Sequence, residues 1–245
     1  MSGVGLARAR AGSVGEGGDA HAGRARAGGG QEGSGVGFAR ARAGGAAEGD
    51  GVGFTRARAS EPEESRFVPA GAGALRRLVV LRHAKSAWPD GVPDHDRPLG
   101  PRGLRDAPAA GRALAEADCL PDLALCSTAE RARRTWELAS AEWGTPPPVR
   151  HDARLYGADV PEILDVLRET PPEVETLLLV GHNPGLEDLV LDLAGDGVDD
   201  TLERVAVKFP TSAIAVLAWH AATWRTLARG TALLTSVIVP RGRKH

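Results

Sequence analysis

Apolar residues are sparse up to about position 72, then recur from Leu75 onward as short continuous runs between stretches of helical spacing. Leu78-Val79-Val80-Leu81 is an unbroken β-rich run, the pattern of a strand buried on both faces. Leu104, Ala107, Gly111, Leu114 and Ala115 follow at helical spacing. Pro108 interrupts that helix, so either its first turn is irregular or it starts later. Leu123-Ala124-Leu125-Cys126 predicts a second strand, with a helix from 129 to 142 after it. Ser127-Thr128-Ala129-Glu130 reads as a capping box opening that helix, and Glu130 with Arg134 as an i,i+4 ion pair. Pro146-Pro147-Pro148 ends the segment; a short strand near Val149 and a helix over 160–168 come next. Residues 176–180 predict a third strong strand. Asn183 then reads as the N-cap, and Pro184 as the first residue, of a helix reaching Leu193. Residues 213–219 and 224–227 predict a closing β-hairpin. The alternation of strands and helices argues for an α/β domain over 75–245, a mostly parallel sheet with helices on both faces.

Residues 1–72 follow another rule. The unit Gly3–Arg10 returns at Gly35–Arg42 and Gly51–Arg58, with glycine-rich acidic spacers between the copies. So few large apolar side chains cannot offset the entropy of ordering, and the tract is expected to be a disordered tail. The copies are too few for a solenoid. The spacers nearly cancel the arginines, so a solvated extension is favoured over a nucleic-acid arm. Met1 is the only methionine, and an alternative non-Met start nearer Leu75 stays open.

Charge and composition narrow the class. The formal net charge is −2, so no global field attracts nucleic acid or an anionic membrane. Cys119 and Cys126 lack metal-ligand spacing and read as free thiols in a reducing cytoplasm. No apolar run approaches the ~20 residues that span a bilayer. The expectation is a cytoplasmic monomer without membrane or nucleic-acid partners.

Three strand-to-helix junctions carry the candidate chemistry. Arg82-His83-Ala84-Lys85-Ser86 follows the first strand, Ser127 and Arg131 the second, and Gly181-His182-Asn183 the strand at 176–180. In a parallel sheet these junctions share the carboxyl edge, where such folds bind ligands. Helix N-termini there favour an anion, so two arginines and two histidines converge on a phosphate-like group. Asp94-His95-Asp96 offers ligand types for a metal, but a turn beside the crevice is the commoner meaning of polar residues before a proline. Neither a zinc-protease helix motif nor clustered cysteines are present, so no metal and no cofactor are expected.

These runs resemble the motifs of the histidine phosphatase superfamily. Leu81-Arg82-His83-Ala84-Lys85-Ser86 resembles its opening motif, Ser127 to Thr135 its second, and Gly181-His182-Asn183-Pro184 its late one. Asp96-Arg97-Pro98-Leu99 with Gly103, and Phe209 to Ala215, are similar to stretches of the SixA-type phosphohistidine phosphatases. The similarity covers about 77–239. It implies a phosphoglycerate mutase-like α/β/α fold and a phosphatase in which His83 is the nucleophile. It further implies phosphate binding by Arg82 and Arg131, with Arg97 in the equivalent SixA loop, and a late contact from His182. The partner it implies is a phosphorylated protein, such as a histidine phosphotransfer domain, or a small phosphate ester; a phospho-ligand-binding module that has lost turnover is the third reading. Many members of the superfamily carry a glutamate after the third strand, but here the chain reads Arg154-Leu155-Tyr156-Gly157-Ala158-Asp159, with Glu162 only a distant candidate acid.

Overall fold

In the computed structural model the described residues are 73–243, so the repeat tract at 1–72 lies outside them. Seven strands and five helices alternate: β1 Leu75–Arg82, α1 Pro101–Glu116, β2 Leu123–Ser127, α2 Glu130–Ser140, β3 Val149–Asp152, α3 Val160–Arg168, β4 Thr176–Gly181, α4 Gly185–Leu193, β5 Ala194–Gly197, α5 Thr201–Val207, β6 Ile214–His220 and β7 Ala232–Ile238. The sheet order is β3-β2-β4-β1-β6-β7-β5. The pairs among β1 to β4 are parallel, whereas β6 runs antiparallel to both β1 and β7.

The pleat sorts the core into two halves. Leu78 and Val80 of β1, with Leu177 and Leu179 of β4, pack against α3, α4 and α5. Val79, Leu81, Leu178 and Val180, from the same strands, pack against Ala110 and Leu114 of α1 and Trp136 of α2. Residues 78–81 are completely buried, each side chain stabilising the fold by roughly 1.5–3 kcal/mol. This is the three-layer α/β/α arrangement that the continuous apolar runs predict.

Six local expectations are corrected. The α1 helix runs through Pro108, with Pro101 already in its first turn. Its buried residues are Gly103, Asp106, Ala107, Ala109, Ala110, Gly111 and Leu114, while Leu104 and Ala115 face outward. The α2 helix begins at Glu130 with Ala129 as N-cap and no side-chain cap. Glu130 pairs with Arg133, and Arg134 with Glu137, in place of a 130–134 pair. Pro184, not Asn183, is the N-cap of α4; the Asn183 amide donates to Glu187 and to the Phe209 carbonyl. The strand that closes the hairpin with β6 is β7, and Trp224–Thr226 forms a 3-10 turn between them.

Candidate active site

Because β1 to β4 run parallel, the residues just beyond their ends meet at one edge of the sheet. Backbone bonds fix His83 there: its N–H donates to the Gly181 carbonyl at 3.0 Å, and the Ser212 N–H sits 3.3 Å from its carbonyl oxygen. The Ala84 N–H donates to Thr135 Oγ1, and that hydroxyl donates to the Arg131 carbonyl, tying the loop after β1 to α2.

His83 Nδ1 lies 2.8 Å from the Ala84 carbonyl oxygen. A carbonyl only accepts, so Nδ1 carries the proton and Nε2 keeps its lone pair. Burial foremost, then His182, with Arg131 and Arg82 acting the same way, lowers the His83 pKa to about 3. His182 stands beside it, ring centroids 5.0 Å apart. Its Nε2 is 2.8 Å from Ser127 Oγ, and its Nδ1 is buried without a partner. Burial, followed by Arg131, lowers the His182 pKa to about 4. Both imidazoles are neutral at pH 7.

Arg82 donates Nη1 to the Phe209 carbonyl at 2.7 Å, while its Nε is buried with no acceptor. Arg131 gives both terminal nitrogens to one residue: Nη1 to the Asp94 carbonyl and Nη2 to Asp94 Oδ2 at 3.0 Å. Asp94 Oδ1 accepts from Arg97, and Oδ2 also accepts the Tyr156 hydroxyl at 2.7 Å. The Tyr156 hydrogen bond, then the two arginines, hold this carboxyl well below the usual carboxylate range. Arg97 further donates to Ser86 Oγ and the Ala87 carbonyl, and its guanidinium lies over the exposed Trp88 ring. Arg82, His83, Lys85, Asp94, Arg97 and Arg131 all line one cavity of about 340 Å³.

The structure therefore brings Arg82, His83, Arg131 and His182 together, and sets Arg97 in the wall with its nitrogens turned to its own loop. Glu162 is not there: its carboxylate accepts the Asp159 N–H in the capping box of α3. The Asp94–Asp96 segment is a 3-10 turn, as read, but Asp94 is a site residue that the sequence reading left outside. Tyr156 is a second, its ring edge-on to His182 at 5.5 Å. Among the described residues no group of three His, Cys, Asp or Glu side chains is placed to hold a metal. Nor is any helix among them long and apolar enough to cross a membrane. Cys119 and Cys126 are free and buried.

Fold and site define a class, a three-layer α/β protein with an anion-handling pocket at its carboxyl edge. The model of the histidine phosphatase superfamily (branch 1) matches residues 78–231, and the chain belongs to that superfamily. An uncharacterized protein of Mycobacterium tuberculosis is 45% identical over 163 residues, 66% of this chain and 100% of the relative. Two solved structures assigned as SixA phosphohistidine phosphatases also match. The one from Nakamurella multipartitia is 34% identical with a TM-score of 0.60, covering 69% of this chain and 98% of its own. The one from Agrobacterium tumefaciens is 30% identical with a TM-score of 0.57, covering 67% and 98%. The chain is a phosphatase- or mutase-like enzyme.

Proposed function

We propose that the protein is a phosphatase working through a phosphohistidine on His83, and that its substrate is a phosphohistidine borne by another protein. The observation that carries the first half is the Nδ1–H bond from His83 to Ala84, which leaves a neutral imidazole with a free Nε2 lone pair in the arginine-lined cavity. That lone pair attacks phosphorus; the P–N bond of the substrate breaks, and its electron pair leaves with the substrate imidazole, which takes a proton from water. A second water then attacks phospho-His83, giving inorganic phosphate and returning the neutral ring. Arg82 and Arg131 hold the phosphoryl oxygens in charge-assisted bonds. In the tautomer in which Ser127 donates to His182 Nε2, the proton of that ring sits on the unpartnered Nδ1, ready for a further oxygen. Arg97 acts on the phosphoryl group through Asp94, which it holds.

Asp94 supports the second half of the reading. It is the carboxylate lining the cavity, and it is ionised, so it has no proton to donate. An imidazole leaves more readily than an alkoxide, so a site without a protonated acid suits an N–P bond better than an alkyl ester.

The test is a quench of the enzyme during turnover in EDTA. The expected label is acid-labile, base-stable and mapped to His83, with a rate unchanged by chelation. His83→Ala should lose turnover and label, and Arg131→Ala should cost on the order of 3 kcal/mol, about a hundredfold in rate. A label on serine or aspartate would overturn the mechanism. Faster turnover of an alkyl phosphate than of a phosphohistidine protein would favour a small-ester phosphatase instead.

A further inference from the structure

A groove of about 720 Å³ runs along α1, between the helix and residues 240–243. Arg105, Arg112, Arg241 and Arg243 line it with one acid, Glu116, and Arg112 pairs with Glu142 at 2.9 Å; its apolar surface comes from Leu104, Pro108, Ala109, Ala113 and Pro240. The segment that forms its far wall is anchored. The Gly242 N–H donates to Oδ1 of the buried Asp106 at 3.0 Å, and a Cβ on Gly242 would fall 2.2 Å from the Arg105 carbonyl oxygen. Asp106 Oδ2, without a hydrogen bond, lies 3.5 Å from Arg102 and 3.6 Å from Arg241.

The groove connects to the active site through Thr211. Arg102 donates to the Thr211 hydroxyl at 2.8 Å and Arg241 to its carbonyl at 3.2 Å, while Thr211 lines the His83 cavity together with Lys85. Positive side chains thus continue from the phosphoryl site onto α1, in a chain whose net charge is −2.

We infer that this groove docks an acidic, partly apolar segment of the phosphorylated protein whose phosphohistidine enters the site. The inference rests on the protein-substrate reading above. Arginine walls match carboxylates, and the apolar residues between them match apolar side chains, which a nucleic-acid backbone does not offer at its charged face. The buried Asp106 keeps residues 240–243 pressed on α1, so the groove is present before the partner arrives.

The experiment uses the full chain, an acidic histidine-phosphorylated protein and phosphoramidate, a small N–P substrate that cannot reach α1. Arg105→Gln with Arg243→Gln changes no residue of the catalytic cavity. The double variant should raise KM for the phosphoprotein about tenfold and flatten its salt dependence, with phosphoramidate turnover and melting temperature unchanged. An unchanged KM for the phosphoprotein overturns the docking role, as does an equal loss on both substrates. A wild-type enzyme that hydrolyses phosphoramidate but no phosphoprotein overturns instead the reading on which this rests. An oligonucleotide that binds the wild type more tightly than a poly-glutamate peptide of equal charge would assign the groove to nucleic acid.

Discussion

Asp94 and Tyr156 reach the site from loops, and that is why the sequence did not expose them. Arg82, His83, Arg131 and His182 were legible because each lies within a few residues of a strand end, so topology alone sends them to one edge. Asp94 sits on a short turn twelve residues past β1, where nothing in the residue pattern aims a side chain. Arg76 was equally hidden: it follows the rules for a surface arginine, yet it is buried at the other end of β1 and donates to the carbonyls of Val174, Ala221 and Ala222. At the active site, the residue-scale consequence concerns anion exchange. Arg131 gives Nη1 to the Asp94 carbonyl and Nη2 to its carboxylate, so this carboxylate competes with a phosphoryl group for the guanidinium. Half-exposed pairs of this kind contribute up to ~1 kcal/mol, so Asp94→Asn should tighten inorganic phosphate by about fivefold. Calorimetric titration of wild type and variant with phosphate measures it. Weaker binding in the variant would mean that Asp94 orients Arg131 and does not compete for it.

The helices and strands were read well where periodicity is strong, and poorly where one residue's usual preference met tertiary packing. The α3 helix has the predicted limits because its apolar stripe and its Asp159–Glu162 cap agree. Pro108 predicts an irregular first turn or a later start, yet α1 runs through it from Pro101. Losing one amide donor is local, and the buried face at Ala107, Ala110 and Gly111 holds the helix together on both sides of it. The closing hairpin was misdrawn since Trp224 is apolar like a strand residue, yet it is buried in a 3-10 turn with its indole N–H donating to the Val174 carbonyl. A glycine shows how closely α1 and α2 are fitted. A Cβ at Gly111 would stand 2.1 Å from the Ala139 carbonyl oxygen, and Trp143 donates to the Gly111 carbonyl. Gly111→Ala should therefore destabilise the protein by about 1–3 kcal/mol, despite the better helix propensity of alanine. Chemical denaturation gives the value; a variant as stable as wild type would show that the two helices slide apart without cost.

At the scale of the molecule, the layer order followed from continuous apolar runs alternating with helices, whereas the strand order did not. Nothing in the sequence says that β6 inserts antiparallel between β1 and β7, or that β1 lies between β4 and β6. The β1–β4 ladder sets Arg82 opposite Gly181, and so sets the two catalytic-edge histidines side by side. This pairing has a kinetic meaning. It joins segments about a hundred residues apart, and such contacts form only after the intervening chain has been gathered in. The α1–α2 contact and the tryptophan pair Trp136–Trp143 are far more local, which predicts that they close first. Catalysis during refolding from denaturant should consequently return with the slowest spectroscopic phase, behind the indole signal of that pair. Activity that recovers ahead of it would place the β1–β4 ladder in the folding nucleus. With the expected order, the chain stays catalytically inert until β1 and β4 have met, and a half-made copy on the ribosome has no assembled site.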